Sequence, residues 1–178
     1  MQHSKRNERF SSWDFVYAVN MAFACLISFW VITFVLVRFV DKPSDLLGGM
    51  WAVAATIFVF RDTHSESLSA GVSRLIATSV SFALCLAYLL VFPFTAIGMA
   101  IVLAVGTVVM ALFDRRGDII TTGITTAVVM VVAALSPQDA WHQPLLRLVD
   151  TVVGIAVGVS CKWIASFLFY RLFAEPAR

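Results

Sequence analysis

The groups in this chain that could do chemistry are few, and the most telling sit where charge is costly. Arg74, Arg147, Asp150 and Lys162 all fall inside long apolar runs. A charged side chain within a membrane span normally faces a cavity, a partner or the headgroup boundary. Guanidinium groups grip carboxylates through two parallel hydrogen bonds, so Arg74 and Arg147 are candidates to attract and hold an anion. The other reading is that each arginine snorkels to lipid headgroups on its apolar stem. Asp150 lies three residues after Arg147 and shares its helical face. There it either neutralises the arginine in an intrahelical ion pair or acts as a proton-coupling carboxylate. Lys162 reads as a snorkelling lysine near the cytoplasmic side.

The uncharged polar groups add a second pattern. Asn20, Thr56, Thr78 and Thr151 stand singly in apolar surroundings, where threonine commonly serves helix packing. The run Thr121-Thr122-Gly123-Ile124-Thr125-Thr126 is denser than packing requires, and Thr122, Thr125 and Thr126 would line a polar path. Trp13, Trp51, Trp141 and Tyr170 are placed like interfacial anchors. Trp51, at the start of a short span, has the alternative of stacking on an aromatic substrate. Cys25, Cys85 and Cys161 lie in apolar runs and read as small hydrophobes, not as a disulfide or zinc framework. His3, His64 and His142 are spaced like neither ligands nor catalytic groups. No nucleophile-and-base pair, phosphate loop or metal cluster is visible, so neither enzyme activity, a metal nor a cofactor is expected. A net charge of +2, with no basic cluster, argues against nucleic acid.

What must position these residues is a bilayer-spanning bundle. Of 178 residues, 60% are hydrophobic and 13% charged, against roughly 25% charged in a soluble domain. The mean hydropathy is +0.89, more apolar surface than a soluble fold of this length can hide. Six apolar runs cover 15–37, 46–60, 68–92, 94–113, 119–135 and 145–173. About 20 residues cross the hydrocarbon core at roughly 1.5 Å each, so the second and fifth runs are short and the third and sixth long. The first run is too long for a signal-peptide core and reads as a retained span. Breaks fall at 41–45, 61–66, Pro93, 114–118 and 136–139. Pro93 is read as a tight turn between two helices, because fusing its neighbours would exceed any bilayer.

Basic residues orient the spans. Lys5, Arg6, Arg9, Arg61, Arg115, Arg116, Arg171 and Arg178 fall on one side of a six-span chain, and Arg38, Lys42 and Arg147 on the other. The bias places both termini, and an N-terminal tail over residues 1–12, in the cytoplasm.

The runs also repeat. A shift of 73 lays Asp41 over Asp114, Asp45 over Asp118, Arg74 over Arg147 and Thr78 over Thr151 without a gap. Before that stretch the first span is five residues longer, and Ala18 to Ala22 matches Ala96 to Ala100. The expected fold is all-α integral membrane, one domain over 1–178 with repeats at about 13–92 and 94–173. Each repeat holds three spans, an odd number, so the second must enter from the opposite side. Inverted repeats of this kind place a substrate site near mid-membrane, at interrupted helices in matching positions. Gly48-Gly49 and Thr121-Thr122-Gly123 open the matching second and fifth spans.

Two segments carry a family resemblance. Trp51-Ala52-Val53 followed by Gly71-Val72-Ser73-Arg74 and Ala77-Thr78 resembles the first half of the fusaric acid resistance and aromatic acid exporter superfamily. Thr122 to Ala127, then Arg147-Leu148-Val149-Asp150-Thr151-Val152-Val153-Gly154, resembles its second half. The resemblance implies a six-span domain of the bacterial inner membrane that exports aromatic or other organic acids, energised by the proton gradient. It implies Arg74, Arg147 and Asp150 as the motif positions, and a periplasmic adaptor protein as a partner in Gram-negative cells. Many relatives carry cytoplasmic domains or a second membrane half, and neither is read here. Ser81 stands where a glycine matching Gly154 is expected. One small bundle offers little wall for a pore, so self-association into a homodimer or larger homo-oligomer is expected. A passive organic-anion channel and a non-transporting membrane subunit remain as alternatives on the same scaffold.

Overall fold

The computed structural model describes residues 12–36, 42–135 and 140–173. The tail with Lys5, Arg6 and Arg9, the loop positions Arg38 and Asp41, the break at 136–139 and Arg178 lie outside the described residues. So do the side chains of Trp13, Lys42, Asp45, Tyr170 and Arg171.

All described elements are helical: α1 (Ser12–Leu36), α2 (Lys42–Val59), α3 (His64–Leu89), α4 (Ala96–Leu112), α5 (Ile119–Leu135) and α6 (His142–Phe173). A 3-10 turn, Arg116–Asp118, feeds α5. Large apolar side chains look outward along the bundle, among them Trp30, Phe34, Ile97, Leu112 and Leu135. Water would not tolerate an apolar surface so extensive, and lipid does. Four helical stretches are long and apolar enough to cross a membrane: Asp14–Phe34, His64–Leu89, Arg116–Leu135 and His142–Phe167. The chain is a multi-pass membrane protein.

The shorter apolar helices are Leu46–Val59 and Ala96–Leu112. The second span is therefore short, as its sequence predicts, and α5 has the predicted bounds 119–135, with the preceding 3-10 turn carrying the helical stretch back to Arg116. The fourth span is instead shortened at its start, where the Thr95 side chain accepts a hydrogen bond from the Gly98 amide and sets the helix N-terminus. At its end Asp114 takes a φ of 55° and turns the chain away.

Other ends have equally local causes. Thr63 and Glu66 form a reciprocal capping box that starts α3 two residues before the polar loop ends. Pro93 does mark a tight turn: α3 ends at Leu89 and α4 begins at Ala96, with the Tyr88 and Thr95 hydroxyls 3.1 Å apart across it. Asp118 pairs with Arg115 at 3.3 Å and accepts a hydrogen bond from Ser73, which pins the 3-10 turn to α3.

The helices do not all approach equally closely. α2 lies against α1 and α6, α3 against α6 and α5, and α4 covers α5. The contact of α2 with α6 is backbone to backbone. A Cβ on Gly154 would collide with the Ala52 carbonyl oxygen and lie 2.7 Å from the Ala55 Cβ. Small residues permit this approach and let dispersion hold helices together where lipid removes the hydrophobic drive. Ala24, Ala52, Ala55 and Ala77 are fully buried for the same reason.

Candidate functional site

The interior of the bundle is polar where α2, α3, α5 and α6 meet. In α6, one helical turn brings Arg147 and Asp150 together, Nη1 to Oδ2 at 2.8 Å, with side chains 1% and 0% exposed. The three-residue spacing alone produces this contact. The approach is ionic and not a two-pronged fork: the guanidinium nitrogens and both carboxylate oxygens have no aligned hydrogen-bond partner. The pair is neutral overall but keeps its hydrogen-bonding capacity.

Arg74 in α3 is 4% exposed and has no carboxylate among the described residues to pair with. Its charge rests on aromatic faces instead. The guanidinium carbon lies 4.2 Å from the Phe58 ring centroid and 5.8 Å from that of Trp51. Ring quadrupoles attract a cation, most effectively when it is removed from water. Arg74 Nε and Nη1 are buried without hydrogen-bond partners.

Trp51 links this arginine to the other. Its indole N–H donates to Thr151 Oγ1 at 3.1 Å, and that hydroxyl donates to the Arg147 carbonyl at 2.8 Å. Arg74, Trp51, Thr151, Arg147 and Asp150 thus form one continuous chain of contacts across α3, α2 and α6. Trp51 is only 5% exposed, which corrects its reading as an interfacial anchor. The close approach of Gly154 in α6 to Ala52 and Ala55 holds the middle of α2 inward, and Trp51 with it. Trp141, by contrast, is exposed and packs on His142. Lys162 does not extend freely; its Nζ lies 5.1 Å and 5.4 Å from the rings of Tyr17 and Phe60.

The threonines form a second group along α5. Thr122, Thr125 and Thr126 share one buried face. Thr126 Oγ1 donates to Ser81 Oγ at 3.2 Å, and Ser81 donates to the Thr122 carbonyl at 3.0 Å. The hydroxyls of Thr78, Thr122 and Thr125 are buried with no hydrogen-bond partner. Arg74, Thr78 and Ser81 lie on one stripe of α3, so that helix joins both polar groups. On the α2 side, Thr56 Oγ1 reaches Ser28 Oγ at 2.5 Å, the Ala52 carbonyl at 2.9 Å and the Gly154 carbonyl at 3.0 Å.

Sequence reasoning missed Phe58 and Ser28. Phe58 is one phenylalanine among 15, with no spacing to set it apart. Ser28 had a signal, a hydroxyl within an apolar span, but no partner could be assigned to it.

A cavity of about 570 Å³ opens at the end where α2 turns into α3, lined among others by Tyr17, Phe60, Arg61, Asp62, Glu66 and Ser73. The buried arginines and Asp150 do not line it. In this conformation the inner cluster is enclosed. The cluster gathers two guanidinium groups, one carboxylate, aromatic faces and unpartnered threonine hydroxyls in the buried interior of the bundle.

Residues 23–161, from within α1 to within α6, match the family described as fusaric acid resistance protein-like. No curated protein and no solved structure matches the chain. The matched stretch takes in α2 to α5 entire, with Arg74, Trp51, Arg147, Asp150 and the threonines of α5, and its membrane transporter-like character agrees with a multi-span bundle. The chain belongs to the fusaric acid resistance protein-like family.

Proposed function

We propose that this protein is a bacterial inner-membrane exporter of small organic acids, aromatic ones above all, driven by the proton gradient. One observation carries the reading: Arg74 is an almost wholly buried cation with no acidic partner among the described residues. With Arg147 and Asp150, the cluster holds two positive charges and one negative. A bound carboxylate would balance it and supply the hydrogen bonds that Arg74 lacks. Trp51 offers such an anion an aromatic face, and Thr122, Thr125 and Thr126 offer hydroxyls. Asp150, in contact with Arg147, is the group whose protonation would release that arginine toward the substrate.

Six spans in two inverted repeats complete the proposal. The packing supports them, because neighbours exchange under the repeat: α1 on α2 as α4 on α5, and α2 on α6 as α5 on α3. The polar contacts follow the same exchange. Thr56 meets Gly154 as Thr126 meets Ser81, and Ala52 meets Gly154 as Thr122 meets Ser81. Within α2 and α5 the matching positions are 70 apart, one helical turn from the 73 that relates α3 to α6. Both termini in the cytoplasm, a homo-oligomer and a periplasmic adaptor belong to the same reading. Enclosure of the cluster favours alternating exposure over an open channel.

The test is the melting temperature of the purified protein against a panel of aromatic and aliphatic carboxylates. A ligand of the folded state stabilises by mass action, about 2.7 kcal/mol at a hundredfold excess over Kd. An upward shift with aromatic carboxylates, abolished by Arg74→Gln, is expected. A flat panel together with unchanged acid efflux in Arg74→Gln would overturn the reading.

A further inference from the structure

Trp51 and Phe58 are seven residues apart, two turns along one face of α2. The guanidinium of Arg74 lies between them, but the two rings have different surroundings. Trp51 is buried and tied to α6 through Thr151. Phe58 is 42% exposed and sits nearer the end of its helix. It does not line the cavity at that end of the bundle. Ile57 on α2 and Val72 and Leu75 on α3 are exposed as well, and all are apolar. The contact between α2 and α3 is also less extensive than that of α2 with α1 or α6. The partly exposed Phe58 ring of α2 therefore covers, on its side, a buried cation of α3 that lacks hydrogen-bond partners on Nε and Nη1.

We propose that Phe58 is the gate of a lateral portal between α2 and α3, through which amphipathic aromatic acids pass between the bilayer and Arg74. The inference rests on the anion-binding reading of Arg74. A benzoate-like molecule in the interface carries its ring in the acyl region and its carboxylate toward the headgroups. Displacing Phe58 would exchange one ring for another over the guanidinium, so the cation keeps an aromatic face during the exchange. An acid without a ring has no such replacement to offer. Phe58 would thus set specificity as well as access.

The route can be read without knowing the substrate. Arg74→Cys is made in a protein whose Cys25, Cys85 and Cys161 are replaced by alanine, and reconstituted in lipid vesicles. Thiol modification is followed with pyrenylmaleimide, which partitions into the bilayer, and with a water-soluble trimethylammonium methanethiosulfonate. Phe58→Ala is expected to speed pyrenylmaleimide labelling by about tenfold, because the ring restricts local opening, and to leave the water-soluble reagent nearly unchanged. Phe58→Leu, which keeps the helix apolar, is expected to fall between. Equal acceleration of both reagents would place the entrance in water and overturn the portal, as would no acceleration of either. The melting panel reads anion binding separately. A flat panel beside bilayer-selective labelling would remove the anion reading and leave the opening itself in place.

Discussion

Replacing Asp150 with asparagine keeps the shape of the Arg147 contact and deletes its charge. At an effective dielectric near 20, two unit charges at the observed 2.8 Å attract by about 6 kcal/mol. Burial leaves almost no solvent to screen the remaining arginine, since the two side chains are 1% and 0% exposed. Losing one member of a buried pair typically costs roughly 3–5 kcal/mol, because the other charge stays behind uncompensated. We expect Asp150→Asn to lose stability on that scale. The double variant Arg147→Met with Asp150→Leu removes both charges at similar volume, and should recover most or all of the loss. The assay is reversible unfolding of the purified protein in mixed micelles, read by circular dichroism, for Asp150→Asn and the double variant. A further readout separates fold from function: the double variant should be stable yet show no melting shift with aromatic carboxylates. A loss under about 1 kcal/mol in Asp150→Asn would refute the reasoning, since another group would then be balancing Arg147.

Two further changes probe the packing. Gly154→Ala should cost about 1–3 kcal/mol and lower the melting temperature, because its methyl meets the Ala52 carbonyl and α2 must move away from α6. Gly117→Ala, with nothing within 4 Å of the added atom, is the matched control and should change little. Thr63→Ala removes the capping box of α3 and should cost about 1 kcal/mol, seen as faster amide hydrogen exchange confined to the first turn of that helix.

Much of this structure was legible in the chain because lipid enforces simple rules. Apolar runs and charged breaks located the helices, and Pro93 was recognisable as a turn. The Arg147–Asp150 contact followed from spacing within one helix, which requires no knowledge of tertiary structure. Trp51 was harder. A tryptophan at the start of a span has the same sequence signature whether it anchors at the interface or turns inward, and the deciding factor, Gly154, lies about a hundred residues away. The lengths of the fourth and fifth spans depended on Thr95 and on a 3-10 turn, both too local for hydropathy to register. Under the proposed repeat, the hydrogen bonds of Thr56 and Thr126 favour a match of α2 to α5 one turn away from the sequence offset, because apolar residues match at many offsets and these bonds do not.

The two arginines differ in where their shelter comes from, and that difference bears on how the chain is made. Arg147 finds Asp150 within its own helix, so α6 can enter the bilayer already neutral at that position. Arg74 has no such companion in α3, and a lone arginine near the middle of a span raises the insertion cost by roughly 2.5–3.5 kcal/mol. Its aromatic cover comes from α2, the segment synthesised just before it. Insertion of α3 is therefore helped by a helix that has already left the ribosome, and the N-to-C order of synthesis becomes part of how this charge is placed in the membrane.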